Sequence, residues 1–165
     1  MSGNRRKSYE AGHSPKFLAV VDESDECSRA IRFVARRAAR TGAGVILLSV
    51  AAPGEFQQWL GVGDVMKEEA EDAARLLLEK HAQSARSIAG IEPELLVRSG
   101  TKAEEILRLI HEDEDIAFFV LAAGTGSDGP GPLVSALASK TSASFPIPIV
   151  IVPGGLADDE IDALT

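Results

Sequence analysis

The chain has one cysteine, one tryptophan and one tyrosine among 165 residues. A single thiol, Cys27, excludes an intramolecular disulfide and fits a reducing compartment. No apolar run reaches the length that spans a bilayer. Basic residues are outnumbered, 17 Lys and Arg against 25 Asp and Glu, for a net charge of −8. Nucleic acid and anionic membranes need a positive footprint, so neither is expected as a partner. Arg5, Arg6 and Lys7 have no apolar stretch behind them, so the start does not read as a secretory leader. A cytoplasmic location is the expectation left by elimination. The strong catalytic signatures are missing too. There is no GxxxxGK[ST], no strand-placed GxGxxG near the start, and no HExxH. Ser139, Ser142 and Ser144 lack a GxSxG elbow. His13, His81 and His111 are far apart, with no metal-ligand spacing among them. No catalytic constellation is visible, and the expectation is a protein that is not an enzyme.

What is present is an alternation of apolar runs and amphipathic stretches. The length suits a single α/β domain, with 45% apolar residues and few aromatics for close helix–sheet packing. Phe17–Val21 is a continuous apolar run, as in a strand buried on both faces. Ala30, Ile31, Val34, Ala35, Ala38 and Ala39 then recur at helical spacing, with arginines opposite. Ser24 or Asp25 would cap this helix and Gly42 would end it. Gly44–Val50 is a second strand. An irregular excursion follows, with Phe56, Trp59 and Leu60 either as a lid or partner patch or packed on their own domain. A long helix runs from Asp64, a candidate N-cap, to about Ala89. Glu94–Arg98 is a third strand. Thr101 and Glu104 have the spacing of a capping box at the head of a third helix. Ile116–Ala122 is a fourth strand, Leu133–Ser142 a short helix, and Ile147–Val152 a fifth strand. Alternation of this kind predicts parallel strands with right-handed crossovers, in an open five-stranded, mostly parallel sheet with helices on both faces. Residues 1–15 read as a flexible arm, 16–153 as the domain, and 154–165 as an acidic tail that either frays or docks Ile161 and Leu164.

The candidate ligand site lies where such a sheet builds one, at the carboxyl edge of its strands. The first strand delivers Asp22 there, with Ser24 close behind. The fourth delivers Gly124, Gly126 and Ser127, and the next helix carries Ser135 in its first turn. Glycines let backbone amides approach a phosphate, and a helix start offers free N–H groups. Asp22 suits a ribose hydroxyl or a metal carried on phosphate, and main-chain groups around Ser49 and Val50 suit an adenine edge. Asp22, Glu23, Asp25 and Glu26 together read as a strand end plus a helix start, and would repel a bare phosphate unless a cation intervened. Cys27, near that helix start, reads as a partly buried thiol. Pro146 and Pro148 cannot donate to a ladder, which puts the fifth strand at an edge. An apolar edge such as IVIV is an aggregation hazard unless it is covered, by a second copy or by the chain's own tail.

At these residues the chain resembles the universal stress protein family. The resemblance covers about Lys16 to Pro153 and rests on VVDESDECSRAI, VILLSV, SGTKAEEIL and FVLAAGTGS…PIPIVIVP in order and spacing. It implies a single-domain fold like that of the adenine nucleotide α-hydrolases, although the SGGxDS and HIGH motifs of related enzymes are absent. It also implies a homodimer through the Ile147–Val152 strand, a non-catalytic regulatory or protective role in stress acting through protein partners, and ATP or AMP, with Mg, as the ligand. ATP-binding members keep a Gly, two residues, a Gly, nine residues, then Gly-Ser or Gly-Thr. Here Gly124 matches the first position and Ser127 stands at the second, beside Gly126. Ser135-Ala136 stands where Gly-Ser is expected, in a loop about two residues shorter. The resemblance therefore implies a degenerate or modest nucleotide pocket, with a true ATP or AMP sensor as the alternative.

Overall fold

A computed structural model describes residues 5–51, 63–127, 129–138 and 144–165. The Trp59 excursion, Ser139, Ser142 and the side chain of Asp64 lie outside the described residues. Five parallel strands form one sheet in the order β3-β2-β1-β4-β5. They are β1 (Lys16–Val20), β2 (Gly44–Ala51), β3 (Glu94–Ser99), β4 (Ile116–Ala123) and β5 (Ile149–Pro153). The helices are α1 (Cys27–Thr41), α2 (Gly63–Ala89), α3 (Lys102–Glu112), α4 (Pro132–Ala138) and α5 (Asp158–Leu164).

The order follows from crossover handedness. Two right-handed crossovers step outward from β1 to β3, and the chain then returns to the other side of β1 and continues to β5. The two sets of helices therefore lie on opposite faces. Phe17, Ala19 and Val21 share one core with Val45, Leu47, α1 and α2. Leu18, Val20, Ile46 and Leu48 share the other with α3 and α4. Strands buried on both faces need no polar alternation, which is why β1 and β2 are unbroken apolar runs. A register shift between Lys16 and Phe17 in the β1–β4 pairing skips Ala117. It lets both Ile116 and Phe119 enter the α3 side while Phe118 stacks on Phe17 at 3.9 Å. The α1 helix ends at Gly42, whose φ of 76° permits the left-handed cap and an N–H bond to the Ala38 carbonyl.

Two local expectations need correction. The N-cap of α1 is Glu26, with no side-chain cap, because Ser24 is engaged by Asp22 instead. The Thr101 side chain makes no capping bond to α3. The arm before β1, over the described residues 5–15, makes contacts with the end of α3. Arg6 donates to the carbonyl of Ile110 at 2.7 Å, which the last turn of α3 leaves without a helical partner, and to that of Asp113. Lys7 pairs with Glu114 at 3.3 Å, and Ser8 is buried. A basic arm thus fastens onto the acidic turn that follows α3.

The acidic end of the chain is ordered too. In α5, Ile161 is fully buried, whereas Leu164 stays exposed. Its acids meet the arginine face of α1, with Arg29–Asp158 at 2.6 Å, Arg32–Asp162 at 2.7 Å and Arg36–Asp162 at 3.2 Å. The edge position of β5 agrees with the prolines before it. Its Ile151 is 39% exposed.

Candidate functional site

The return from β3 to β4 makes β1 and β4 neighbours whose following connections diverge to opposite faces. That switch point opens a crevice at the carboxyl ends of the strands. A cleft of about 480 Å³ lies there, within the size range of small-molecule sites. Its two sides differ. Leu121, Pro130, Leu133 and Val134 supply an apolar wall. Asp22, Glu23, Ser24 and Glu26, from the β1–α1 connection, face Thr101 and Lys102 at the start of α3.

The β1–α1 turn is fixed by Asp22. Its Oδ1 accepts the Ser24 N–H at 2.9 Å and the Ser24 hydroxyl. Oδ2 has no hydrogen-bond partner among the described residues. The cleft floor holds Cys27, buried, with its sulfur 3.9 Å from the Val20 carbonyl. Burial pushes this thiol up to about 11, so it stays protonated and inert at neutral pH. His81 on α2 is likewise buried, and burial lowers its pKa from the ordinary value, with Lys80 adding to the effect. Its spacing from Leu78 and Ala85, both buried, makes it part of the packed stripe of α2.

The glycine loop after β4 closes on itself. The Gly124 N–H donates to the Pro130 carbonyl at 3.0 Å, and the Gly129 N–H to Gly126 at 3.1 Å. Glu26 lies against Gly124, so that a Cβ there would sit 3.0 Å from Glu26 Oε1. Two amides of the loop are thus satisfied internally, and a carboxylate stands beside the first glycine.

The candidate residues do not all converge. Asp22 and Ser24 line the main cleft. Gly124 and Gly126 line a separate, more open recess of about 400 Å³ with Asp25, Glu26 and Arg29. Ser127 and Ser135 are exposed, and the Ser135 N–H is bonded to the Gly131 carbonyl at 3.0 Å. Val50 is buried in the α3–α4 core and does not line the cleft. Lys102 and Thr101 do line it, and the sequence reading assigned them no role there; Glu26, read as part of the acidic group that repels a bare phosphate, lines it too. The signal available was position: Lys102 follows the Ser99-Gly100 turn that ends β3 at the same sheet edge. Among the described residues no group of three or more His, Cys, Asp or Glu side chains is disposed to hold a metal ion. No helix is long and apolar enough to cross a membrane, again among the described residues.

The profile of the universal stress protein family matches residues 14–153. The chain belongs to the universal stress protein family. The universal stress protein UspA from Lactobacillus plantarum superposes with a TM-score of 0.68 at 16% identity, covering 84% of this chain and 97% of that one. A universal stress protein from Archaeoglobus fulgidus gives 0.63 at 18% identity, covering 84% and 93%. A universal stress protein solved in complex with cAMP gives 0.60 at 18% identity, covering 84% and 96%. No curated protein sequence matches significantly. At these identities the likenesses speak for the fold, which is the single-domain, five-stranded parallel α/β fold of the universal stress protein family. The α5 helix lies beyond the stretch matched by the family profile.

Proposed function

We propose that this universal stress protein is a non-catalytic regulatory or protective protein of the cytoplasm with a modest adenine-nucleotide site in the β1–β4 cleft. The observation that carries the reading is the pairing of two facts. A ligand-sized cleft stands at the switch point beside Asp22, and two amides of the neighbouring glycine loop, Gly124 and Gly129, are bonded within the loop. The first favours a nucleoside and the second disfavours a tightly gripped triphosphate. Asp22 Oδ2 is the acceptor for a ribose hydroxyl, and the apolar wall takes the base. The complexes of relatives with cAMP and dAMP support the ligand class. The volume fits AMP. Mg²⁺ would arrive on the phosphates of ATP, with Asp22 as a carboxylate that would help hold it, since no preformed cluster stands among the described residues. When bound, the metal would offset phosphate charge.

The test is direct. The purified protein is denatured, the released small molecules are identified by mass spectrometry, and ATP, ADP and AMP are titrated onto the stripped protein by calorimetry. Weak adenine-nucleotide binding that is lost in Asp22→Ala is expected. Sub-micromolar ATP affinity would sink the modest-pocket reading and favour the alternative, a true ATP sensor. The same proposal includes a homodimer through β5. Its exposed Ile151 and half-buried Ile149 on an open edge support that arrangement. Ile151→Lys should shift light-scattering mass from dimer to monomer, and a monomeric wild type would remove the edge pairing.

A further inference from the structure

The wall that would meet a phosphate is crowded with the wrong charge. Three carboxylates, Asp22, Glu23 and Glu26, line the cleft against one cation, Lys102. No side chain among these four forms an ion pair with any described residue, whereas Arg29, Arg32 and Arg36 on the α1 face toward α5 each have an acidic partner. The glycine loop is partly closed to an anion: the Gly124 and Gly129 amides are bonded within the loop, Glu26 lies against Gly124, and Pro130 and Pro132 have no N–H to give. An anion entering this cleft would be drawn to Lys102, whose ammonium supplies a strong charge-assisted donor.

We propose that Lys102 is the anion-binding residue of this cleft, and that it sets a preference for a nucleoside monophosphate over a triphosphate. The inference rests on the nucleotide reading above and names how the same site chooses. One ammonium among three carboxylates balances a short anion held close to Lys102. A longer polyphosphate would extend its further charges toward Glu23 and Glu26, where like charges repel. Magnesium relieves that repulsion, so the preference narrows when the metal is present.

The experiment is a calorimetric titration of adenosine, AMP and ATP, the last with and without Mg²⁺, onto wild type, Lys102→Gln and Lys102→Arg. Thermal unfolding of each variant is followed alongside. Wild type should bind AMP more tightly than adenosine, and more tightly than ATP without metal. In Lys102→Gln the AMP affinity should fall about ten- to a hundredfold, while adenosine binding stays within about twofold. Lys102→Arg should keep most of the gain, and rising salt should weaken AMP binding in wild type far more than in Lys102→Gln. Equal losses for adenosine and AMP would mark Lys102 as structural and overturn the proposal. So would unchanged AMP binding in Lys102→Gln, or equal affinity of wild type for AMP and adenosine; both would leave the nucleoside site standing. Metal-free ATP binding tighter than AMP would overturn the stated preference. Failure of all three ligands to bind wild type would overturn the nucleotide reading itself, and this inference with it.

Discussion

The two sides of α1 treat charge in opposite ways. Along its flank Arg29, Arg32 and Arg36 meet Asp158 and Asp162 of α5, and Arg37 reaches the Thr165 carbonyl at 3.4 Å. At its head Asp22, Glu23 and Glu26 stand together at the cleft with no ion-pair partner among the described residues. The flank is arranged as a fold arranges its charges, with opposites paired. The head is not: Asp22 holds the β1–α1 turn through Ser24, but the three carboxylates stand as neighbouring like charges with no cation paired to them among the described residues. Departures from local consistency concentrate at functional sites. Charge pairing therefore separates the flank of α1, which holds the molecule together, from its head, which lines the cleft.

The largest effect should come from removing the apolar anchor of the paired side. Ile161 is fully buried against α1, and its truncation in Ile161→Ala leaves a cavity that costs about 2–5 kcal/mol. Urea unfolding measures it. A loss under about 1 kcal/mol would mean that α5 is held by its ion pairs and that its apolar seat can collapse. A seven-residue helix has little stability of its own, so amide exchange across Asp158–Leu164 should also rise to that of an open segment.

Next comes Gly154, at the end of β5. A Cβ there would collide with the Ala123 carbonyl and lie 3.1 Å from the Glu26 Cβ. The Gly154 N–H donates to that same carbonyl at 2.9 Å, so relief of the collision breaks this bond. Gly154→Ala should destabilise by about 1–3 kcal/mol. It should also loosen Glu26 from Gly124 and so disturb both sides of α1 at once. A variant as stable as wild type would show that the close approach is accidental.

The sheet was legible because its causes are local. Unbroken apolar runs, the turn at Gly42 and the prolines before β5 each act within a few residues. The α5 helix was not legible as a helix, because DDEIDAL is polar and short. Its order depends on arginines more than a hundred positions earlier, as Arg32→Asp162 shows. The same holds for Arg6, whose role at the end of α3 is decided 104 residues away. At the site, Asp22 could be placed because a strand must end there. Closure of the glycine loop could not, since Gly124 pairs with Pro130 only once the loop has folded. Lys102 is named by geometry alone: its own neighbours in sequence read as an ordinary helix start.

A smaller effect should follow pH on the flank. The bond from Arg32 holds Asp162 below the usual carboxylate range, with the charges of Arg32 and Arg36 adding to it. A depressed folded pKa gives a contribution present above the unfolded value and lost as pH falls through the folded one. The α5 contacts should therefore be intact at neutral pH and loosen only as the solution passes below the ordinary aspartate range. Exchange-protection of α5 against pH reads this directly. Because the pair is at the surface, the change should be less than about tenfold, and high salt should shrink it. Protection that fell near pH 6.5 instead would point to His81, whose lowered pKa withdraws stability as pH drops through the unfolded histidine value.

The smallest effect is the one that most sharpens the contrast. Glu26→Gln removes a charge that has two carboxylates for neighbours and no ion-pair partner among the described residues. On the flank, loss of a charge leaves an opposite charge uncompensated; here relief of repulsion offsets the small gain that a carboxylate makes at a helix start. Glu26→Gln should thus leave stability within about 0.5 kcal/mol of wild type, or raise it slightly. Lys102→Gln, which takes away the one opposing cation, should also stay within that margin. Thermal and urea unfolding of the two variants, beside Arg32→Gln, carry the comparison. Loss of more than about 1 kcal/mol in either cleft variant would mean that these charges are structural after all, and the division of α1 into a holding side and a binding side would fall.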